Sequence, residues 1–101
     1  MKATYENITN LEFQDLLDNE DIVLIDVRSH DMYKKGHIEE AINIPFEDLD
    51  TYKGDKEIVH YVICQKGIKS KEAAELLVAQ GYRVVNVAEG MCMWQGQSIE
   101  D

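Results

Sequence analysis

Apolar runs alternate with polar segments along the whole chain, and the runs are of two kinds. Ile22-Val23-Leu24-Ile25, Ala41-Ile42-Asn43-Ile44, Ile58 to Ile63 and Arg83-Val84-Val85-Asn86-Val87 are short and rich in β-branched residues. Such nearly continuous runs predict strands buried on both faces. Elsewhere the apolar positions space out at helical intervals. Phe13, Leu16 and Leu17 share one face of a first helix, and Ala73, Leu76 and Leu77 stripe a later one that ends at Gly81. Strands alternating with helices argue for a parallel-sheet α/β sandwich.

Local devices sharpen these boundaries. Thr9 and Glu12 fit a capping box, and Ile8 and Phe13 fit the hydrophobic staple that goes with it. Asp18-Asn19-Glu20-Asp21 is a polar turn closing the first helix. Ser29 can cap a short helix through Lys35, with Asp31 at its positive end and Lys34 and Lys35 at its negative end. Gly36 suits a left-handed stop. Pro45 breaks the strand before it, and Phe46 to Leu49 predicts one helical turn. Lys53-Gly54-Asp55-Lys56 is a polar turn into the central strand. Glu89 to Trp94 predicts a closing helical turn, with a polar tail that frays.

The chemistry concentrates where the central apolar run ends. Ile58 to Ile63 delivers Cys64, then Gln65, Lys66 and Gly67, and a helical pattern begins within a few residues. In open α/β sheets ligands bind beyond the carboxyl ends of strands, where helix N-termini present free N–H groups to anions. Lys66, Lys69 and the helix dipole would stabilise the Cys64 thiolate, its nucleophilic form. A cysteine at the end of a buried strand is otherwise a small apolar core residue, and the loop and helix start are what separate the two readings.

Composition narrows the partners. The 101 residues are enough for one core, and 20 acids against 10 bases leave a net charge of −10. That field repels nucleic acid and anionic membranes, so neither is expected as a partner. No apolar run approaches the length of a membrane span. Two cysteines and three histidines without paired-cysteine spacing predict no metal site. Met1-Lys2-Ala3-Thr4 leads straight into structured-looking sequence without a signal peptide, so a cytoplasmic protein with reduced thiols is expected.

Four segments, in order and spanning nearly the whole chain, resemble the rhodanese family of single-domain sulfurtransferases. Leu24-Ile25-Asp26-Val27-Arg28 is similar to its Asp-x-Arg strand end. Gly36-His37-Ile38 with Ala41, Asn43, Ile44 and Pro45 is similar to its Gly-His-Ile…Gly-Ala-x-Asn-x-Pro segment. Cys64-Gln65-Lys66-Gly67-Ile68-Lys69-Ser70 resembles its Cys-x-x-Gly-x-Arg-Ser active loop, and Gly90-Met91-Cys92-Met93-Trp94 its Gly-Met-x-x-Trp. The departures are Lys69 for the more usual arginine, Glu40 and Glu89 where glycine is common, and an end soon after Trp94 that shortens any covering segment.

The resemblance implies a rhodanese-like three-layer α/β sandwich, residues 1–101 forming one domain around a central, mostly parallel five-stranded sheet with helices on both faces. It implies that Cys64 takes a sulfane sulfur from thiosulfate or a persulfide, holds it as a cysteine persulfide, and passes it to a thiol, cyanide or protein acceptor, with sulfur-relay proteins as further partners and no cofactor. Gln65, Lys66, Gly67, Ile68, Lys69 and Ser70 would form the anion-binding loop around the sulfur. Gly67 would supply a backbone angle that a residue with Cβ resists.

Other residues read as support. Asp26 and Arg28 form an ion pair fixing the loops around the pocket, and His37 holds its turn by satisfying backbone groups. His60, on the same strand face as Val62 and Cys64, is a packed histidine, whereas His30, Lys34, Lys35 and Glu39 are surface. Cys92, beside Met91, Met93 and Trp94, reads as packing. Two rivals remain. A cysteine phosphatase or arsenate reductase loop closes on an arginine, yet the sixth position beyond Cys64 is Ser70. A sulfur-carrier or protein-binding module without turnover keeps the fold and loses or idles the cysteine.

Overall fold

The computed structural model describes residues 4–18 and 21–101. Met1-Lys2-Ala3 and the middle of the Asp18–Asp21 turn, Asn19 and Glu20, lie outside the described residues. The elements in chain order are β1 (Glu6–Ile8), α1 (Asn10–Gln14), β2 (Ile22–Asp26), α2 (His30–Lys35), β3 (Ile42–Asn43), a 3₁₀ segment (Phe46–Thr51), β4 (Val59–Ile63), α3 (Lys69–Ala79), β5 (Val84–Val87) and a 3₁₀ turn (Met91–Met93).

The five strands make one sheet in the order β1-β5-β4-β2-β3, and every pairing is parallel. Alternate side chains divide between two cores, as the period of two in a strand requires. On one face Ile25, Val27, Val62 and Val84 pack under Ala73, Ala74 and Leu77 of α3, with Leu49. On the other, Leu24, Tyr61, Ile63, Val85 and Val87 pack under Phe13 of α1 and under Ile38 and Ala41. This is the expected five-stranded sheet with helices on both faces.

The order of strands creates the crevice. From β2 the chain moves outward to β3, but from β4 it moves the other way, to β5. The switch therefore falls between β2 and β4, which pair from Ile22↔Val59 to Asp26↔Ile63. Arg28 follows one of these strands and Cys64 the other, so both stand at the site where open sheets bind ligands.

Several expectations change in detail. The capping box is present, Thr9 Oγ1 accepting from Glu12 N and Glu12 Oε1 accepting from Thr9 N. The helix it starts is shorter than the apolar face suggested: past Gln14 the chain tightens, with Leu16 N donating to Phe13 O at 2.8 Å. Gly36 has φ 165°, an extended backbone in place of the left-handed stop. The C-terminal tail does not fray: Ile99 and His37 exchange backbone hydrogen bonds of 2.8 and 2.9 Å. Strand β1 carries no clear sequence signal and exists through its pairing with β5.

Candidate active site

Strand β4 ends at Ile63, and Cys64 is buried with 4% of its surface exposed. The loop then turns back over its sulfur. Gly67 N donates to Sγ at 3.0 Å and Ser70 N at 3.3 Å, and Ser70 Oγ lies 3.3 Å from Sγ. Ser70 is the second residue of α3, whose N-terminus has no side-chain cap. Sulfur occupies the place that a Ser or Asp side chain fills elsewhere, taking a helix N–H that would otherwise be orphaned. A thiolate here meets two N–H groups and the positive end of an 11-residue helix.

The loop keeps that shape because its carbonyls are held from outside. Met91 N donates to Cys64 O at 2.8 Å and Cys92 N to Gln65 O at 2.9 Å. With its carbonyls turned outward, the loop has its N–H groups free to point inward. Gly67 has φ +83°, and a Cβ there would strike the carbonyl oxygen of Ala88. Gly90 has φ +74°, and its Cβ would meet Cys64 O at 2.8 Å. Both glycines permit a close approach of two backbones that no other residue allows.

Asp26 and Arg28 form a second buried unit beside the loop. Asp26 accepts from Arg28 Nε at 3.0 Å, Nη2 at 2.8 Å and the backbone N at 3.0 Å. Arg28 Nη2 also donates to Gly36 O at 2.7 Å, and Nη1 to Gln65 Oε1 at 3.2 Å. The guanidinium thus ties β2, the end of α2 and the cysteine loop together, which a lysine's single ammonium could not do.

A cavity of about 420 Å³ opens above the sulfur, lined by Arg28, Cys64, Gln65, Lys66, Ile68 and Lys69. Val27, Ser29, Met32, Phe46 and Glu47 complete its wall. Gly67 and Ser70 lie buried beneath it, holding Sγ without lining the cavity. Asp26 acts through Arg28. His37 does not line the cavity: its ring stacks on Tyr33 at 3.7 Å, Nδ1 lies 2.7 Å from Tyr33 O, and its backbone pairs with Ile99. It meets the pocket only through Gly36, whose carbonyl receives Arg28.

Cys92 is a correction. It is exposed, with Sγ 3.7 Å from Glu89 O, and belongs to neither buried core. In a three-residue repeat, Met91 and Trp94 turn inward to the Phe13 cluster, leaving Cys92 and Met93 outside. His60 is fully buried on the cysteine's face of the sheet, as expected, with Nε2 2.8 Å from Tyr52 Oη and Nδ1 2.8 Å from Ile58 O. Burial pushes its pKa below the ordinary histidine value, against the pull of the Ile58 carbonyl and Asp55. Sequence reasoning missed Val27, Ser29, Met32, Phe46 and Glu47 as cavity lining. Phe46 had one signal, its place just past the carboxyl end of a strand.

The model of the rhodanese-like domain matches residues 9–97. The chain belongs to the rhodanese-like family. Among its relatives is the thiosulfate sulfurtransferase GlpE of Coxiella burnetii, 37% identical over 94 residues, which cover 90% of this chain and 88% of that protein. The putative sulfurtransferase YtwF of Bacillus subtilis is 36% identical over 84 residues, covering 79% of this chain and 80% of that one. The rhodanese-related protein of Thermoplasma volcanium has the same fold, with a TM-score of 0.88 at 24% identity, covering 96% of this chain and all (100%) of that one. Among the described residues of this rhodanese-like chain, no helix is long and apolar enough to cross a membrane.

Proposed function

We propose that this chain is a sulfurtransferase whose catalytic nucleophile is Cys64, working as one domain over residues 1–101. The observation that carries the reading is the convergence on Sγ of two backbone N–H groups at a helix start that its own N-cap residue leaves unserved. Such a cradle favours negative charge on sulfur. With thiosulfate, the thiolate attacks the outer sulfur, the donor's S–S bond breaks, and sulfite leaves with the electron pair. Cys64 then holds the sulfur as a persulfide anion. A thiol, cyanide or protein acceptor attacks that outer sulfur and restores the thiolate.

Within this reading Gly67 and Ser70 supply the N–H groups, Gln65 positions the loop through Arg28, and Lys66, Ile68 and Lys69 form the rim. Asp26 and Arg28 are positioning residues, and His37 holds the turn that carries Gly36. The Coxiella relative, a thiosulfate sulfurtransferase, supports thiosulfate as one donor. Two unpaired cysteines suit a reducing compartment such as the cytoplasm.

Intact mass after incubation with thiosulfate tests the proposal. The expected result is a gain of one sulfur on Cys64 that a reducing thiol or cyanide removes. No gain with any sulfane donor, under conditions where iodoacetamide alkylates Cys64, would overturn it.

A further inference from the structure

Glu89 stands where glycine is common in the motif it resembles, and its side chain reaches back to helix α1. Oε1 accepts from the backbone N of Asn10 at 2.7 Å, although 79 positions of sequence separate the two. Asn10 N is the first N–H of α1, one of those that a helix start leaves without an intrahelical partner. The Thr9 side chain takes Glu12 N, so the Glu89 carboxylate serves a donor that the local cap does not.

Asn10 binds the same segment with its own side chain. Nδ2 donates to Gly90 O at 3.0 Å in a buried contact, and the residue is only 6% exposed. Its Oδ1 is also buried and has no hydrogen-bond partner among the described residues. A buried amide with an unserved oxygen is unfavourable, and leucine, of nearly the same size, would fill the space without that cost. What the amide adds over leucine is the one donor to Gly90.

Gly90 is where this segment lies against the cysteine loop. A Cβ on it would meet Gln65 O at 2.5 Å as well as Cys64 O. The N–H groups that hold those two carbonyls belong to the next residues, Met91 and Cys92. On the other side of Glu89, Ala88 N donates to Ile8 O at 3.0 Å, while Ala88 O lies against Gly67. Residues 8–10 are thus fastened to residues 88–90 by one backbone bond and by the side chains of Asn10 and Glu89.

We propose that Asn10 and Glu89 are positioning residues for Cys64. They anchor the segment from Ala88 to Cys92 on the start of α1, and that segment keeps the N–H groups of the cysteine loop aimed at Sγ. This inference rests on the reading of Cys64 as a sulfur-accepting nucleophile. Neither side chain lines the cavity, so their effect reaches the sulfur only through the backbone.

The test compares Asn10→Leu, Glu89→Ala and Glu89→Gln with wild type. One readout is the pH profile of iodoacetamide alkylation, followed at Cys64 by peptide mass, and the other is the rate of sulfur loading from thiosulfate. A role confined to stability would lower the melting temperature and leave the alkylation midpoint of the folded protein where it was. The expected result for Asn10→Leu is a midpoint raised by about half to one pH unit, as one weakened hydrogen bond to the thiolate would give. Sulfur loading below the midpoint should slow by about three- to ten-fold, in step with the lost thiolate. Glu89→Ala should move both readouts the same way by less, and Glu89→Gln, which keeps an oxygen for Asn10 N, should restore them. Glu89 is exposed, so its variants carry the test even where Asn10→Leu fails to fold. Wild-type midpoints and loading in the folded variants would overturn the inference and leave the role of Cys64 intact. Failure of the wild-type protein to load sulfur would instead bring down the underlying reading, and the inference with it.

Discussion

Ser70 donates its backbone N–H to the sulfur of Cys64 across 3.3 Å, and this contact is also the capping contact of helix α3. One atom serves both the proposed reacting centre and the start of a structural helix. Stability and chemistry are therefore joined at Sγ, and they can be separated by choosing what replaces it.

Cys64→Ser should abolish persulfide formation, yet its hydroxyl oxygen can still accept from Gly67 and Ser70. Cys64→Ala leaves those buried donors without a partner, at a cost of about 1–3 kcal/mol. Urea denaturation should find the alanine variant clearly less stable than the serine variant. Equal stabilities would show that sulfur does not cap the helix. Cys92→Ser, by contrast, alters an exposed side chain and should retain most sulfur loading.

Gly67→Ala places a Cβ against the Ala88 carbonyl at a left-handed backbone. The strained angle alone costs about 1–2 kcal/mol, and the collision adds to it. A melting temperature lowered on the order of 10 °C is expected, with loss of sulfur loading as the N–H swings away from Sγ. A variant with wild-type melting and activity would mean that the loop can relax away from Ala88.

Asp26→Asn removes the carboxylate that neutralises a buried guanidinium at 2.8 Å. Breaking a buried pair from one side costs about 3–5 kcal/mol, because the remaining charge is left uncompensated. Chemical denaturation should register that loss. Arg28→Lys should also fall below wild type in activity, since an ammonium cannot reach Asp26, Gly36 and Gln65 together.

His60 gives the fold a pH dependence of known sign. Burial holds its pKa below the ordinary value of about 6.5, so the unfolded chain takes up a proton before the folded one does. Its contribution to stability is complete above that ordinary value and is lost as pH falls toward the folded pKa. Subtracting the stability profile of His60→Gln from that of wild type, between pH 7 and pH 5, should isolate this slope. A difference that grows as pH falls would contradict the buried neutral ring.

The sequence was most legible where one short signal decided one local geometry. Thr9 and Glu12 form their capping box, Ser29 accepts from Met32 N at 3.3 Å, and Asp26 pairs with Arg28. Each depends on residues a few positions apart. What stayed hidden depends on partners far along the chain. Glu6-Asn7-Ile8 becomes a strand only because Val85-Asn86-Val87 lies beside it. Cys92 looked apolar by its neighbours, but the turn that carries it sends Met91 and Trp94 inward and leaves it exposed. Met32 and Phe46 line one cavity with Cys64 because sheet order brings the segments after β2, β3 and β4 together, and no spacing in sequence records that.

The double duty of the cysteine sulfur has a spectroscopic consequence. In the proposed reaction Cys64 accepts a sulfur, the negative charge moves one atom outward, and the two N–H groups aimed at Sγ must weaken there or follow it. Either response changes the shielding and solvent exchange of the amide protons of Gly67 and Ser70. Loaded and empty protein should then differ at two assigned peaks of an ¹⁵N spectrum, with the first turn of α3 responding after them. The backbone itself reports whether the protein is carrying its cargo.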